Sequence, residues 1–174
     1  MAAPLEPVVI AFLAAARVAY LATVGRGGAP LVLPVCFVVL DASGPDARLI
    51  VSLDEKPKRK PPRELERVRN LVANPRVAVV ADRWSEDWTR LAWVHLSGTA
   101  RVLEPPLGAG ADPAAVAPAP PNAAAAALPP DAALHQRAVA LLREKYAPYR
   151  AMALESRPAI VMEIERVKTW GPLA

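Results

Sequence analysis

Apolar residues change their spacing several times along the chain, and each change marks an element. From Glu6 to Ala16 they lie on every side, with small alanines between them, which predicts a short helix buried against a sheet. From Arg17 to Val24 the pattern turns to that of a strand, and Gly25-Arg26-Gly27-Gly28 then reads as a turn. Leu31 to Leu40 is a β-branched apolar run, punctuated by Pro34 and stopped by Asp41-Ala-Ser-Gly-Pro45, so the two runs predict a hairpin. Leu49 to Leu53 predicts a third strand. Pro61-Pro62-Arg63-Glu64 reads as a helix start, with the helix running to Ala73 and Asn74-Pro75 ending it. Its three- and four-residue spacing turns Leu65, Val68, Leu71 and Val72 inward and puts Arg63, Arg67 and Asn70 on another face.

Val77 to Ala81 and Leu91 to Leu103 predict two more strands. Pro158 to Val167 predicts a last one, with Ile160, Met162 and Ile164 facing inward and Val161, Glu163 and Glu165 on a polar face. A helix capped by Asp131 is expected through Tyr146, with Leu134, Ala138, Leu141 and Leu142 as its buried stripe. Six strands with three scattered helices contain no repeating strand–helix unit. They predict a mainly β protein of the α+β kind, a six-stranded antiparallel barrel with peripheral helices, in one domain over residues 1–174. One stretch does not fit: residues 105–130 hold eight Pro and eleven Ala, a composition that reads as a flexible insertion stiffened locally by proline.

Composition narrows the chemistry. A single cysteine, Cys36, excludes an internal disulfide framework and a thiolate metal cage, and two histidines supply an imidazole metal site poorly, so no metal is expected. The apolar stretch from Val8 to Val24 is broken by Arg17, and no basic leader precedes it, so a cytoplasmic protein without a membrane partner is expected. Net charge is +4, yet residues 56–69 alone carry +5, leaving the remainder at −1. Basicity gathered in one patch suits one anionic ligand group. It is a poor match to a nucleic-acid duplex, which asks for cations along a whole face. Among lone candidates, Cys36 lies between β-branched residues as a small buried hydrophobe would. His95 reads as structural, and His135, opening a helix, as solvated.

The segments Tyr20-Leu-Ala-Thr-Val-Gly25, Gly28-Ala-Pro-Leu-Val-Leu-Pro34-Val-Cys-Phe, Asp54-Glu-Lys-Pro-Lys-Arg59 and Arg67-Val-Arg-Asn-Leu71-Val-Ala-Asn-Pro75 come in the order of a known family. They resemble the pyridoxamine 5′-phosphate oxidase-like split-barrel flavoproteins. Glu86-Asp-Trp88, Trp93-Val, Gly98-Thr-Ala-Arg-Val and Leu142-Arg-Glu-Lys-Tyr-Ala-Pro-Tyr149 are similar to the branch that uses the deazaflavin coenzyme F420. The resemblance implies a homodimeric split barrel that holds a flavin or deazaflavin in a cleft between subunits. On that basis Lys56, Lys58, Arg59 and Arg67, with Asn70 a turn further on, would hold its phosphate. Val51 and Ser52 would end the strand running along the coenzyme, and Pro34, Val35 and Cys36 would lie beside the ring. Trp88 matches a position near the coenzyme, and Trp170 a C-terminal position able to reach the partner's site.

The residue chemistry agrees with that expectation. Arginine offers a planar fork to a phosphate and lysine a point charge. Cations in excess of one phosphate's needs favour coenzyme F420, whose glutamate tail carries further carboxylates, over flavin mononucleotide (FMN). The hydride chemistry belongs to the coenzyme, and the chain supplies binding, orientation and exclusion of water. Two-electron reduction of an activated double bond in a small organic substrate is the expected reaction. The proton donor stays open between Tyr20, Asp87, Tyr146, Tyr149 and solvent. The alternatives are an FMN oxidase or reductase of the same fold, and a carrier that holds a flavin, deazaflavin or haem without turnover.

Overall fold

The computed structural model describes residues 4–54, 61–106 and 130–174. Seven strands form one antiparallel sheet in the order β2-β1-β5-β6-β7-β4-β3, made of β1 (Ala19–Val24), β2 (Pro30–Val35), β3 (Val38–Leu40), β4 (Arg48–Ser52), β5 (Arg76–Arg83), β6 (Ala92–Leu103) and β7 (Ala159–Trp170). Three helices, α1 (Pro7–Ala15), α2 (Glu66–Ala73) and α3 (Pro130–Lys145), lie around it. The two edge strands, β2 and β3, are consecutive in the chain and separated only by Cys36 and Phe37. A sheet whose outermost strands are two residues apart must curl on itself. The result is a barrel left split between those edges, with seven strands rather than six and without closure.

The additional strand arises because the run from Leu31 to Leu40 is not continuous. At Phe37 the backbone N–H donates to the Tyr146 hydroxyl at 3.0 Å, and that hydroxyl has the carbonyls of Phe37 and Arg17 within 3.1 Å for its own proton. A side chain 109 positions away thus satisfies the backbone groups that the broken strand leaves over. The Phe37 ring itself is fully buried.

Two apolar cores follow from the curl. The barrel interior packs Phe12 and Leu13 of α1 against Val35, Phe37, Val51, Leu71, Val79, Leu96 and Met162. The second core lies outside the barrel wall, where Leu134, Ala138 and Leu142 of α3 cover Val38, Leu40, Ile50 and Val161. Strands β3, β4 and the first half of β7 are therefore buried on both faces. That corrects the polar face expected for Val161, which has no exposed surface. Leu141, expected in the buried stripe of α3, is instead 37% exposed. His135 replaces it inward, its Nε2 2.7 Å from the Arg157 carbonyl, so this histidine is structural and not solvated.

Two further details depart from the sequence reading. Pro62–Glu64 forms only a 3-10 turn, and Leu65 is extended (ψ 136°) before α2 begins at Glu66 rather than near Pro61. Leu65 thereby packs on the barrel core, whereas Val72 on α2 points outward at 79% exposure. The long pair β6–β7 carries a bulge between Ser97 and Gly98. A β-carbon at Gly98 would come within 2.0 Å of the Glu163 carbonyl oxygen, so only glycine fits the close approach there.

Candidate functional site

The strand alternation of β4 decides what its end can offer. Leu49, Val51 and Leu53 belong to the barrel interior, so Ile50, Ser52 and Asp54 point the other way, toward α3 and the 3-10 turn Ala147–Ala151 that follows it. On that side Tyr149 donates from its hydroxyl to Asp54 Oδ2 at 2.7 Å and hydrogen-bonds the Cys36 thiol. Ser52 and Asp54 are buried, at 8% and 7% exposure. Burial, and the carboxylate it serves, push the Tyr149 phenol well above its usual range. The site is therefore built around a protonated tyrosine and a buried carboxylate.

Arg67, on α2, is the cation of this cluster. Burial depresses its pKa, and the Asp54 carboxylate opposes that by favouring the charged form. Its Nε is buried with no hydrogen-bond partner among the described residues. An unmet donor on a half-buried guanidinium fits an anionic oxygen from a ligand, because leaving it unpaired costs about 1–3 kcal/mol. Asn70, one turn on, is already engaged: its Nδ2 donates to Thr23 Oγ1 at 3.1 Å, which ties α2 to β1. Gly25 permits that approach, since a β-carbon there would lie 2.7 Å from Asn70 Oδ1.

The outer side of α2 extends the positive region. Arg26 from the β1–β2 turn, with Arg63 and Arg69, borders an open depression of about 450 Å³ that also includes Glu66 and Asn70. Arg63 reaches Glu104 at 3.3 Å with both side chains largely exposed, a contact worth little in water. The cations expected at Lys56, Lys58 and Arg59 lie outside the described residues, as does most of the Ala/Pro-rich stretch. Asp54 and Arg67 bracket the chain position from which that basic loop leaves.

The remaining expected site residues divide by face. The side chains of Val35 and Val51 point into the barrel interior and can present only backbone to a ligand. Pro34 is exposed on the opposite sheet face, where the strand register sets Pro34, Tyr20, Val80, His95 and Lys168 in one row across five strands. Trp93 and Trp170 pair directly one step along. Tyr20 at 44% and Trp170 at 52% leave aromatic surface open on that face, beside the exposed Lys168. Trp88 is 74% exposed in a 3-10 turn that Asp87 caps through the Thr89 N–H at 3.0 Å. The Thr89 hydroxyl, donating at 2.7 Å, and then the Thr89 N–H hold the Asp87 carboxyl below its usual range, which makes Asp87 a poor proton donor.

Sequence reasoning passed over Asp54, because the acidic pair Asp54-Glu55 at the head of a lysine-rich run looks like solvated charge. It counted Tyr149 only among several possible proton donors, since nothing local to Tyr149 announces a bond across 95 positions. Among the described residues no helix is long and apolar enough to cross a membrane, and no cluster of His, Cys, Asp and Glu could hold a metal.

Comparison with known proteins bears on the same residues. The family model for pyridoxamine 5′-phosphate oxidase matches residues 5–117, which takes in β1 through β6 and α2. No curated protein matches. Among solved structures, a conserved hypothetical protein of Mycobacterium tuberculosis superposes with a TM-score of 0.63 at 18% identity, over 95% of this chain and 84% of that one. The haem storage protein HutZ of Vibrio cholerae gives 0.58 at 16% identity, over 97% and 94%. A putative 5-nitroimidazole antibiotic resistance protein of Bacteroides thetaiotaomicron gives 0.56 at 10% identity, over 94% and 82%. At such identities these likenesses speak for the fold.

Proposed function

Because the chain belongs to the pyridoxamine 5′-phosphate oxidase family, we propose that it binds a phosphorylated flavin-type coenzyme, F420 by preference and FMN as the second choice, and passes a hydride between it and a small organic substrate. The observation that carries this reading is Arg67, whose half-buried guanidinium keeps an unmet Nε beside the start of the basic loop. When bound, the coenzyme supplies two-electron chemistry that no side chain has.

The chain's own part is binding and orientation. Arg67, with Lys56, Lys58 and Arg59, holds the phosphate, and the backbone of Pro34, Val35, Cys36, Val51 and Ser52 borders the ring. Arg26, Arg63 and Arg69 receive further acidic groups, which favours the deazaflavin's carboxylate tail over FMN. Burial and the Asp54 carboxylate both keep the proton on Tyr149, so it orients Asp54 rather than donating to substrate. A homodimer completes the site: the row Pro34, Tyr20, Val80 and the Trp93–Trp170 pair cover one another across a two-fold, bringing Trp88 toward the partner's coenzyme.

A second reading is a carrier that holds haem or flavin without turnover. Haem would use His95, the accessible one of the two imidazoles, half-buried on that same open face. Parallel fluorescence titrations with F420 and FMN, and an absorbance titration with haem, separate these readings. Tighter binding of F420, weakened about tenfold or more by Arg67→Ala, is the expected result. Haem binding that His95→Ala abolishes, with neither flavin nor deazaflavin bound, would overturn it.

A further inference from the structure

Past Cys36 from the Asp54–Tyr149 pair, and lined by none of the residues of that cluster, the C-terminal end of α3 meets α1 and β3 around a cleft of about 420 Å³, within the size range of small-molecule sites. Its walls are apolar, from Ile10 and Leu13 of α1, Val39 of β3 and Leu141 of α3. Its charged lining is Arg17, Lys145 and Glu144. Arg17 lies 4.6 Å over the Tyr146 ring and donates to the Lys145 carbonyl. Lys145 Nζ sits 3.9 Å from the centre of the Phe37 ring and donates to the Leu13 carbonyl at 3.0 Å.

Two cations have thus been brought together in one apolar recess. Elsewhere on the chain Arg48, Arg76, Arg101, Arg137 and Arg143 are each matched by a carboxylate. Arg17 and Lys145 form no ion pair among the described residues, and Glu144 reaches neither. An ammonium has three N–H groups and Lys145 uses one on Leu13, so two remain, as do most of the Arg17 guanidinium donors. Like charges held close in a partly dry site destabilise one another until an anion joins them.

We infer that this cleft is a second binding site, for a small amphipathic carboxylic acid whose carboxylate bridges Lys145 and Arg17 while its apolar body lies against Ile10, Val39 and Leu141. A carboxylate has the two oxygens needed to take both heads, and the walls reward an alkyl or aryl body that a free inorganic anion lacks. The Lys145 amine responds as such a site should: burial and the neighbouring Arg17 lower its pKa to about 8. A bound carboxylate raises it again. The other groups facing that amine are the Cys36 thiol, the Tyr146 phenol and, at the rim, Glu144.

Calorimetric titration of the whole chain with octanoate, 1-octanol and octylammonium tests the site. Octanoate should bind saturably at pH 7, octanol about tenfold more weakly for want of the charge-assisted bonds, and octylammonium more weakly still. At pH 8, octanoate binding should take up protons, read as heats that depend on the ionisation enthalpy of the buffer. Lys145→Met, which keeps the side chain's bulk, should remove that dependence and about tenfold of affinity. Leu141→Trp, at an exposed position, should obstruct the cleft without disturbing the core. Octanol binding as tightly as octanoate would overturn the proposal. So would proton uptake and affinity that survive Lys145→Met.

Discussion

Arg67 and Lys145 are both half-buried cations on the flanks of the same split barrel, yet their surroundings treat them differently. Arg67 has the Asp54 carboxylate near it, and Asp54 is in turn held by Tyr149. Lys145 has an aromatic ring, a backbone carbonyl and another cation. Burial pulls both pKa values down; at Arg67 a carboxylate restores part of the loss, whereas at Lys145 the Arg17 cation deepens it and the Cys36 thiol offsets it only in part. Arg67, whose guanidinium is intrinsically the stronger base and has a carboxylate beside it, stays a permanently charged anchor, while Lys145 titrates at about 8. The contrast rests on partners and on the guanidinium's higher intrinsic basicity rather than on depth.

The largest disturbance of this contrast is Phe37→Ala. It removes the ring beneath Lys145 and opens a void in the barrel interior, and should cost about 3–5 kcal/mol in urea denaturation. Tyr149→Phe strikes the other side. It strips Asp54 of its hydroxyl donor in a buried setting, with an expected loss of about 1.5–3 kcal/mol by the same measurement and an unchanged barrel by circular dichroism. Thr23→Val should cost about 1 kcal/mol by freeing the Asn70 amide, and should loosen α2 and with it the placement of Arg67. A stability loss at Tyr149→Phe no larger than that of an exposed substitution would mean that Asp54 is not held as described.

The smallest effect concerns acidity. A lysine whose folded pKa lies near 8, below its unfolded value of 10.5, is charged in both states under about pH 8. Between those values the unfolded chain binds the extra proton, so stability should rise with pH, by about 1 kcal/mol once the exposed part of the side chain is allowed for. Tyr146 and Tyr149, both raised in the fold, act in the opposite sense above about pH 10. The rise should therefore peak and reverse near there. Lys145→Met should flatten the rising limb, seen as denaturation midpoints measured across that range.

Much of this architecture is legible in the amino-acid order. The apolar, strand-like runs locate β1, β4, β5 and β6 to within a few residues, and the glycine-rich turn sets β1 against β2. What escapes is whatever depends on a partner far along the chain. The apolar run through Cys36 and Phe37 looks continuous because the Tyr146 hydroxyl that breaks it lies 109 positions on. Val161 alternates with glutamates as an outward residue would, yet α3 lies over it. His135 resembles a solvated helix residue until the Arg157 carbonyl comes within reach. In the candidate site, the clustered cations stand out from composition, and Arg67 is found where the helical spacing puts it. The Asp54–Tyr149 bond and the pairing of Arg17 with Lys145 do not, since each joins segments with no shared pattern.

The bulge at Gly98 has a bearing on how this protein can change over generations. It divides β7 into a first half enclosed on both sides and a second half, Glu165 to Trp170, whose side chains all reach solvent. One strand thus lives under two sets of rules. Its first half, Glu163 apart, should tolerate little beyond like-for-like apolar replacement, whereas its second half is held by no core packing within the subunit. New contacts can be tried out at the Trp170 end while the barrel wall stays as it is, provided position 98 never acquires a side chain.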